Sequence, residues 1–300
     1  MSKLTEKLKE IYRTKYKLLM LIPLIIFVLA IFQVSYQFAT TGDFMKKDVD
    51  LKGGISLQMN TTKHVDVIDL EKDLKLTFPE ADLSVQELTL LGRQTDIIVK
   101  ATLEANQTKI IDEVKKHIDA PVSVEPSMIS PKFGESFFKS TFIAMGAAFL
   151  LMSILVFVYF RVPVPSFAVI LCALADIICT VATLNLMGVR LTPGGIAALL
   201  MLVGYSVDTD ILLTTRVLKR HEGEVFDRVM SSVKTGMTMS MTTFAAVVVG
   251  LFFSRADILK QIMLIIAIGM IFDMIMTWIQ NVGILRWYVE EYKKKHENKG

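Results

Sequence analysis

Apolar residues along this chain gather in long runs, and the polar residues gather between them. Six segments, near 18–38, 138–160, 164–187, 191–215, 236–254 and 259–285, are predominantly apolar, and each approaches or exceeds the roughly 20 residues that carry a helix across a bilayer core. The pattern predicts a polytopic α-helical membrane protein with six transmembrane helices. The first run is too long for a signal-peptide core and has no small-x-small cleavage site after it, so it reads as an uncleaved anchor.

Between the first two spans the periodicity changes. After Gly53-Gly54, ISLQM reads as a strand, and Val67, Leu70, Leu74 and Phe78 recur at helical spacing. LSVQELTLL and DIIVKATL follow as two strands, with LGRQT as their hairpin connection. Ile110, Ile111, Val114 and Ile118 mark a second helix, and PVSVEPSM a last strand. The order βαββαβ predicts an α+β, ferredoxin-like domain over residues 42–137. Around it lie a basic N-terminus (1–17), the first span (18–38), spans two to six (138–285) and a basic tail (286–300). The domain offers no paired acid and base, nucleophile or phosphate loop, so no enzyme activity is expected.

Composition agrees with the membrane class: 52% of residues are hydrophobic and mean hydropathy is +0.49. A formal net charge of +3, with no basic patch interleaved with aromatics, gives no reason to expect a nucleic-acid partner. Where the charge sits is more telling. With the N-terminus inside, the inner segments hold seventeen lysines and arginines, and the two short outer loops hold only Arg190 and Arg255. That bias predicts cytoplasmic N- and C-termini and an extracytoplasmic 42–137 domain on the cytoplasmic membrane. The lysines of KLTEKLKEIYRTKYK serve this topology, or the stretch lies on the bilayer surface as an amphipathic helix. Cys172 and Cys179, two helical turns apart, are about 10 Å from each other and cannot bridge. His64, His117, His221 and His296 are scattered, so no metal or cofactor is expected.

Four carboxyls fall at membrane depth: Asp176 in span three, Asp208 and Asp210 in span four, Asp273 in span six. Each costs about 2.5–3.5 kcal/mol at a helix centre, so the set points to a transport pathway facing the bundle interior. The competing reading is that neutral carboxyls merely tie helices together. Asp208 and Asp210 lie about 200° apart on a helix and cannot face one partner. Asp208 is the leading proton-carrier candidate, with Asp210 expected to matter less. A proton crossing 100 mV releases about 2.3 kcal/mol, enough to drive motion. Thr192–Gly195, Gly204, Ala246 and Gly250 suit close helix approach. Thr242 and Thr243 read as packing residues, and Lys234 as a side chain reaching for the inner interface.

DLKGG (Asp50, Leu51, Gly53 and Gly54), GYSVDTDILLTTR beginning at Gly204 and Tyr205, and TGMTMSMTT at Thr235–Thr243 resemble motifs of the SecD/SecF protein-export family. The family belongs to the RND superfamily, and over essentially its full length the chain is most similar to the archaeal SecF form. The resemblance implies an accessory of the Sec translocon channel. It would act with a SecD-like six-helix membrane protein on exported polypeptides among membrane lipids, with proton flow through span four. Asp208 matches the SecD aspartate. The acidic residue usual in bacterial SecF falls at Thr209, and the arginine before its span-five threonines falls at Thr235. On the residues alone, Gly53-Gly54 is a hinge whose turn Asp50 caps. A half-unit of an RND-like small-molecule or lipid exporter stands as the alternative. An intramembrane aspartyl protease using Asp208 and Asp273 would need a GxGD motif that the chain lacks.

Single cysteines test the orientation. Gln94→Cys is expected to react with an impermeant thiol reagent from outside the cell, and Glu222→Cys only after lysis; the reverse labelling would invert every inside–outside assignment.

Overall fold

The structure is a computed structural model describing residues 3–61, 64–79, 81–90, 93–102, 107–118, 124–219, 223–254 and 256–293. The connection at 91–92, the loop 220–222 with His221, Arg255, and the tail 294–300 with His296 lie outside the described residues.

Helix α1 (Lys3–Thr14), the short α2 (Tyr16–Leu19) and α3 (Leu21–Thr41) lead to a turn, α4 (Val49–Lys52). Then come β1 (Gly54–Asn60), α5 (Val67–Thr77), β2 (Leu83–Leu90), β3 (Arg93–Ala101), α6 (Gln107–Lys115) and β4 (Val124–Ile129). Helices α7 (Pro131–Phe160), α8 (Pro163–Met187), α9 (Pro193–Lys219), α10 (Val225–Phe253) and α11 (Asp257–Ile275) follow. The last continues through a π-helical segment (Met276–Asn281), α12 (Val282–Trp287) and a second π-helical segment (Tyr288–Lys293). Among the described residues, six helical stretches are long and apolar enough to cross a membrane. Burial is uneven: 56–61% of the apolar window is buried in α8, α9 and the last span, but only 11–17% in the other three. The first group forms the bundle's centre.

The four strands make one antiparallel sheet in the order β2-β3-β1-β4. Strand periodicity sends Ile55, Leu57, Met59, Ile97 and Val99 to one face. There they pack with Leu70 and Leu74 of α5 and Ile110 and Val114 of α6. The Asp66 carboxylate caps α5 by accepting from the Ile68 and Asp69 amides. Pro126 on the edge strand β4 has no N–H to offer a further strand.

DLKGG joins the domain to the membrane half. Gly53 has φ 86°, a conformation open to glycine. A Cβ on Gly54 would lie 2.3 Å from the Ala101 carbonyl oxygen, and one on Gly134 of α7 would lie 2.8 Å from that of Leu51. Asp50 does not cap the turn. It pairs with the Lys100 ammonium at 2.7 Å, and Asp48 pairs with the same group at 3.0 Å. A buried ammonium is a stronger partner for a carboxylate than a turn amide. The preceding linker is also fastened. Asn185 donates to the Phe44 carbonyl at 2.8 Å, Leu191 N–H to Lys46, and Asp48 N–H to Leu191.

Several boundaries differ from the sequence pattern. The first membrane helix runs to Thr41 and α7 starts at Pro131, not 138. Helix α10 starts at Val225, not 236, because Val225, Val229 and Val233 extend an apolar stripe onto Leu213, Val217 and Trp278. Arg228 and Lys234 therefore lie on a helix, not in a loop. The final helix runs to Lys293, well past 285. Its Arg286 is buried, donates to the Tyr12 and Arg13 carbonyls, and lies 4.2 Å from the Tyr16 ring centre. These bonds pin α1, which is helical, to the end of the chain.

Burial alone would lower the Lys100 pKa, but the charges of Asp48 and Asp50 and hydrogen bonds to both carry it above the ordinary lysine value. Its contribution is therefore fully present below pH 10.5 and is lost as pH rises through the raised value. Lys100→Met leaves Asp48, only 2% exposed, without a counter-charge. Chemical unfolding of the full chain in detergent is expected to show a loss of about 3–5 kcal/mol, with a smaller loss for Asp50→Asn.

Candidate functional site

The three central helices bring Asp176 (α8), Asp210 (α9) and Asp273 (α11) together, with 0%, 0% and 3% of their surfaces exposed. Their partners are hydroxyls and amides. Ser206 donates to Asp176 Oδ2 at 2.6 Å. Thr277 Oγ1 lies 3.0 Å from Asp210 Oδ1 and 3.2 Å from Asp273 Oδ1. Asn281 Nδ2 donates to Asp210 Oδ1 at 2.6 Å. Thr209 Oγ1 lies 3.3 Å from Asp273 and donates to the Ser206 carbonyl at 2.9 Å. The polar groups thus form one file: Asn281, Asp210, Thr277, Asp273, Thr209, Ser206, Asp176.

Local structure explains the alignment. Asp273, Thr277 and Asn281 are spaced by four along the last span, and the π-helical turn begins between the first two. A wider turn inserts an extra residue and re-aims the following side chains, and such turns occur often at functional sites. On α9, Ser206, Thr209 and Asp210 share the buried face.

No lysine or arginine pairs with any of the three carboxyls among the described residues. Asp176 Oδ1, Asp210 Oδ2 and Asn281 Oδ1 are buried with no partner. A hydroxyl has one proton, so Thr277 can donate to only one of its two carboxyls. The other completes the bridge only by donating a proton of its own. The geometry suits carboxyls that hold and exchange protons. It offers no cluster of metal-ligand type among the described residues.

The remaining sequence candidates lie elsewhere. Asp208 is exposed on the opposite side of α9, along with Gly204, Tyr205 and Met201. The expectation that Asp208 faces the bundle interior is not met: Asp210 joins the buried file and Asp208 does not. The reason is the 200° between them, with the central helices lying on the Asp210 side. Among the described residues nothing lies within 4 Å of a Cβ on Gly204, so no described helix packs closely there. Thr242 is exposed and donates to its own helix backbone, and Thr243 is half-buried. Ala246 is exposed, whereas Gly250 packs against Met263. Cys172 and Cys179 are free and buried. Sequence reasoning missed Ser206, Thr277 and Asn281, and it singled out Thr209 only as the place where the bacterial acidic residue would fall. A polar stripe at Asp273, Thr277 and Asn281 inside an apolar run was the available signal.

Residues 109–291 match the family described as protein export membrane protein SecD/SecF, C-terminal. The chain belongs to the SecD/SecF family. The SecF protein of Pyrococcus furiosus is 36% identical over 97% of this chain and 97% of its own length. That of Methanocaldococcus jannaschii is 35% identical over 93% of this chain and 98% of its own. Among solved structures, SecDF of Thermus thermophilus, titled a translocon-associated membrane protein, superposes with TM-score 0.70 at 19% identity over 91% of this chain. This SecD/SecF family chain covers 38% of that longer one.

Thr277→Val keeps the shape and removes the bridging hydroxyl. Thermal unfolding in detergent is expected to show a loss of about 1–3 kcal/mol. Thr238→Val, whose hydroxyl bonds only to its own helix, is expected to stay within about 0.5 kcal/mol of the parent.

Proposed function

We propose that this chain is a SecF-type accessory subunit of the Sec system that promotes protein export across the membrane. The observation that carries this reading is its similarity, over nearly the full length of both chains, to SecF proteins of 35–36% identity. The chain acts with a SecD-like six-helix partner and the translocon channel on exported polypeptides. Its termini are cytoplasmic and its α+β domain is extracytoplasmic, as the seventeen-to-two charge bias supports. That domain is ferredoxin-like: β3 sits between β1 and β2, the split βαβ arrangement.

Proton coupling runs through Asp210, Asp273 and Asp176. Three buried carboxyls that share hydroxyl and amide partners, with no lysine or arginine paired to them among the described residues, suit groups that hold and pass on protons. Asp208 serves a different purpose. An exposed carboxyl at mid-span beside Gly204 and Tyr205 suits a face that another membrane protein covers. The partner docks on this stripe of α9.

Export of a Sec-dependent reporter, in cells whose own copy is replaced, tests the assignment. Asp210→Asn and Asp273→Asn keep size and hydrogen bonding, so both are expected to accumulate normally and lose most export. Asp208→Asn is expected to retain more export and to lower recovery of the SecD-like partner in mild detergent. Normal export from both Asp210→Asn and Asp273→Asn would end the relay reading while leaving the SecF assignment in place.

A further inference from the structure

Two cavities lie one above the other where the α+β domain meets the membrane helices. The inner one, about 290 Å³, is wholly apolar, with Val34, Phe142, Val181 and Leu199 among its walls. The outer one, about 680 Å³, is strongly charged, and Thr41, Gly188 and Thr192 mark its floor. On α8 Val181 and Gly188 are seven residues apart, as are Leu199 and Thr192 at the start of α9; on α3 the outer cavity begins at Gln37, three residues past Val34, and continues to Thr41. Seven residues is about 10 Å of helix. In each case the polar position is nearer the domain, where the spans end. Met45 lines both cavities.

The charges in the outer cavity leave room for an anion. Its carboxylates are already engaged: Asp43 by Lys47, Asp82 by both Lys52 and Arg190, Glu71 by Lys75, and Asp48 by Lys100. Lys46 is exposed and forms no ion pair among the described residues. Arg190 spends Nη2 on Asp82 at 2.5 Å, and its Nη1 is shut off from solvent with no partner. The outer cavity thus holds an unpaired ammonium at the level of the helix ends, directly over an apolar slot, and the Arg190 guanidinium stays engaged on Asp82 beside it.

We propose that this pair of cavities is a binding site for one anionic membrane lipid from the leaflet on the side of the α+β domain. An acyl chain enters the slot between α3, α7 and α8, and the phosphate of the headgroup meets Lys46. Charge below an apolar wall would repel a hydrocarbon chain, and an apolar slot alone would not select a headgroup. The stacked order meets both halves of an amphiphile. The site is separate from the buried carboxyl file and does not depend on its assignment. Because the bound lipid touches the 43–48 linker, it steadies the domain's seat on the membrane.

Native mass spectrometry of the full chain, released from bilayer discs, tests this with phosphatidylglycerol and phosphatidylcholine as competing probes. One phosphatidylglycerol per chain is expected to survive, with phosphatidylcholine lost. Lys46→Gln is expected to lower that retention roughly fivefold, the effect of one surface cation on an anionic lipid. Val34→Phe, filling the slot, is expected to lower it as well. Should Val34→Phe fail to accumulate, Lys46→Gln, at an exposed position, carries the test alone. Equal retention of the two lipids, or retention unchanged in Lys46→Gln, overturns the proposal. So does thermal stabilisation by glycerol 1-phosphate equal to that by phosphatidylglycerol, which would indicate a simple anion site.

Discussion

A carboxyl in hydrocarbon must either lose its charge or find a partner, and the arrangement of helices follows from that requirement. The helices that carry Asp176, Asp210 and Asp273 are the same three whose surfaces are mostly enclosed by protein. Helices α3, α7 and α10 carry no acid at mid-span, and they face outward. Lipid tails are as apolar as leucine, so hydrophobicity alone gives no reason for one span to be central. The polar file supplies that reason. Small hydroxyl and amide side chains fill the space between carboxyls where a cation would otherwise be needed, and the π-helical turn brings Thr277 and Asn281 into line.

The same three helices hold the linker to the outer domain. Asn185 is on α8, Leu191 and Thr192 precede α9, and Gln261 on α11 donates to the Arg190 carbonyl at 2.5 Å. Arg190 in turn meets Asp82 of the domain. One end of each helix therefore touches the linker or its neighbours, and the middle of each carries a carboxyl. The buried Lys100 with its two aspartates adds an ion-pair cluster at the junction.

Much of this was legible in the chain. Long apolar runs announced the six spans, because the bilayer allows few alternatives. Period-two and 3.6-residue patterns located the strands and helices of the domain, as at Leu57, Leu70 and Ile110. Boundaries were harder to read where basic residues sit on helices: Arg228 and Arg286 look like loop or tail residues until their partners, Val217, Tyr12 and Arg13, are known. The site was half legible. All three buried aspartates stood out as ionisable groups in apolar runs. Which of Asp208 and Asp210 faced inward was not readable, since each face of α9 has its own apolar residues and only tertiary packing distinguishes them. Asp50 was misread for the same reason, because its partner Lys100 is fifty residues away.

The outward position of Asp208 has a consequence for a copy of the chain that has not yet met its neighbour. At a helix centre, an aspartate facing lipid carries a penalty of about 2.5–3.5 kcal/mol, which corresponds to roughly a 70- to 400-fold bias toward any arrangement that covers it. A lone subunit is therefore marked as incomplete by its own surface.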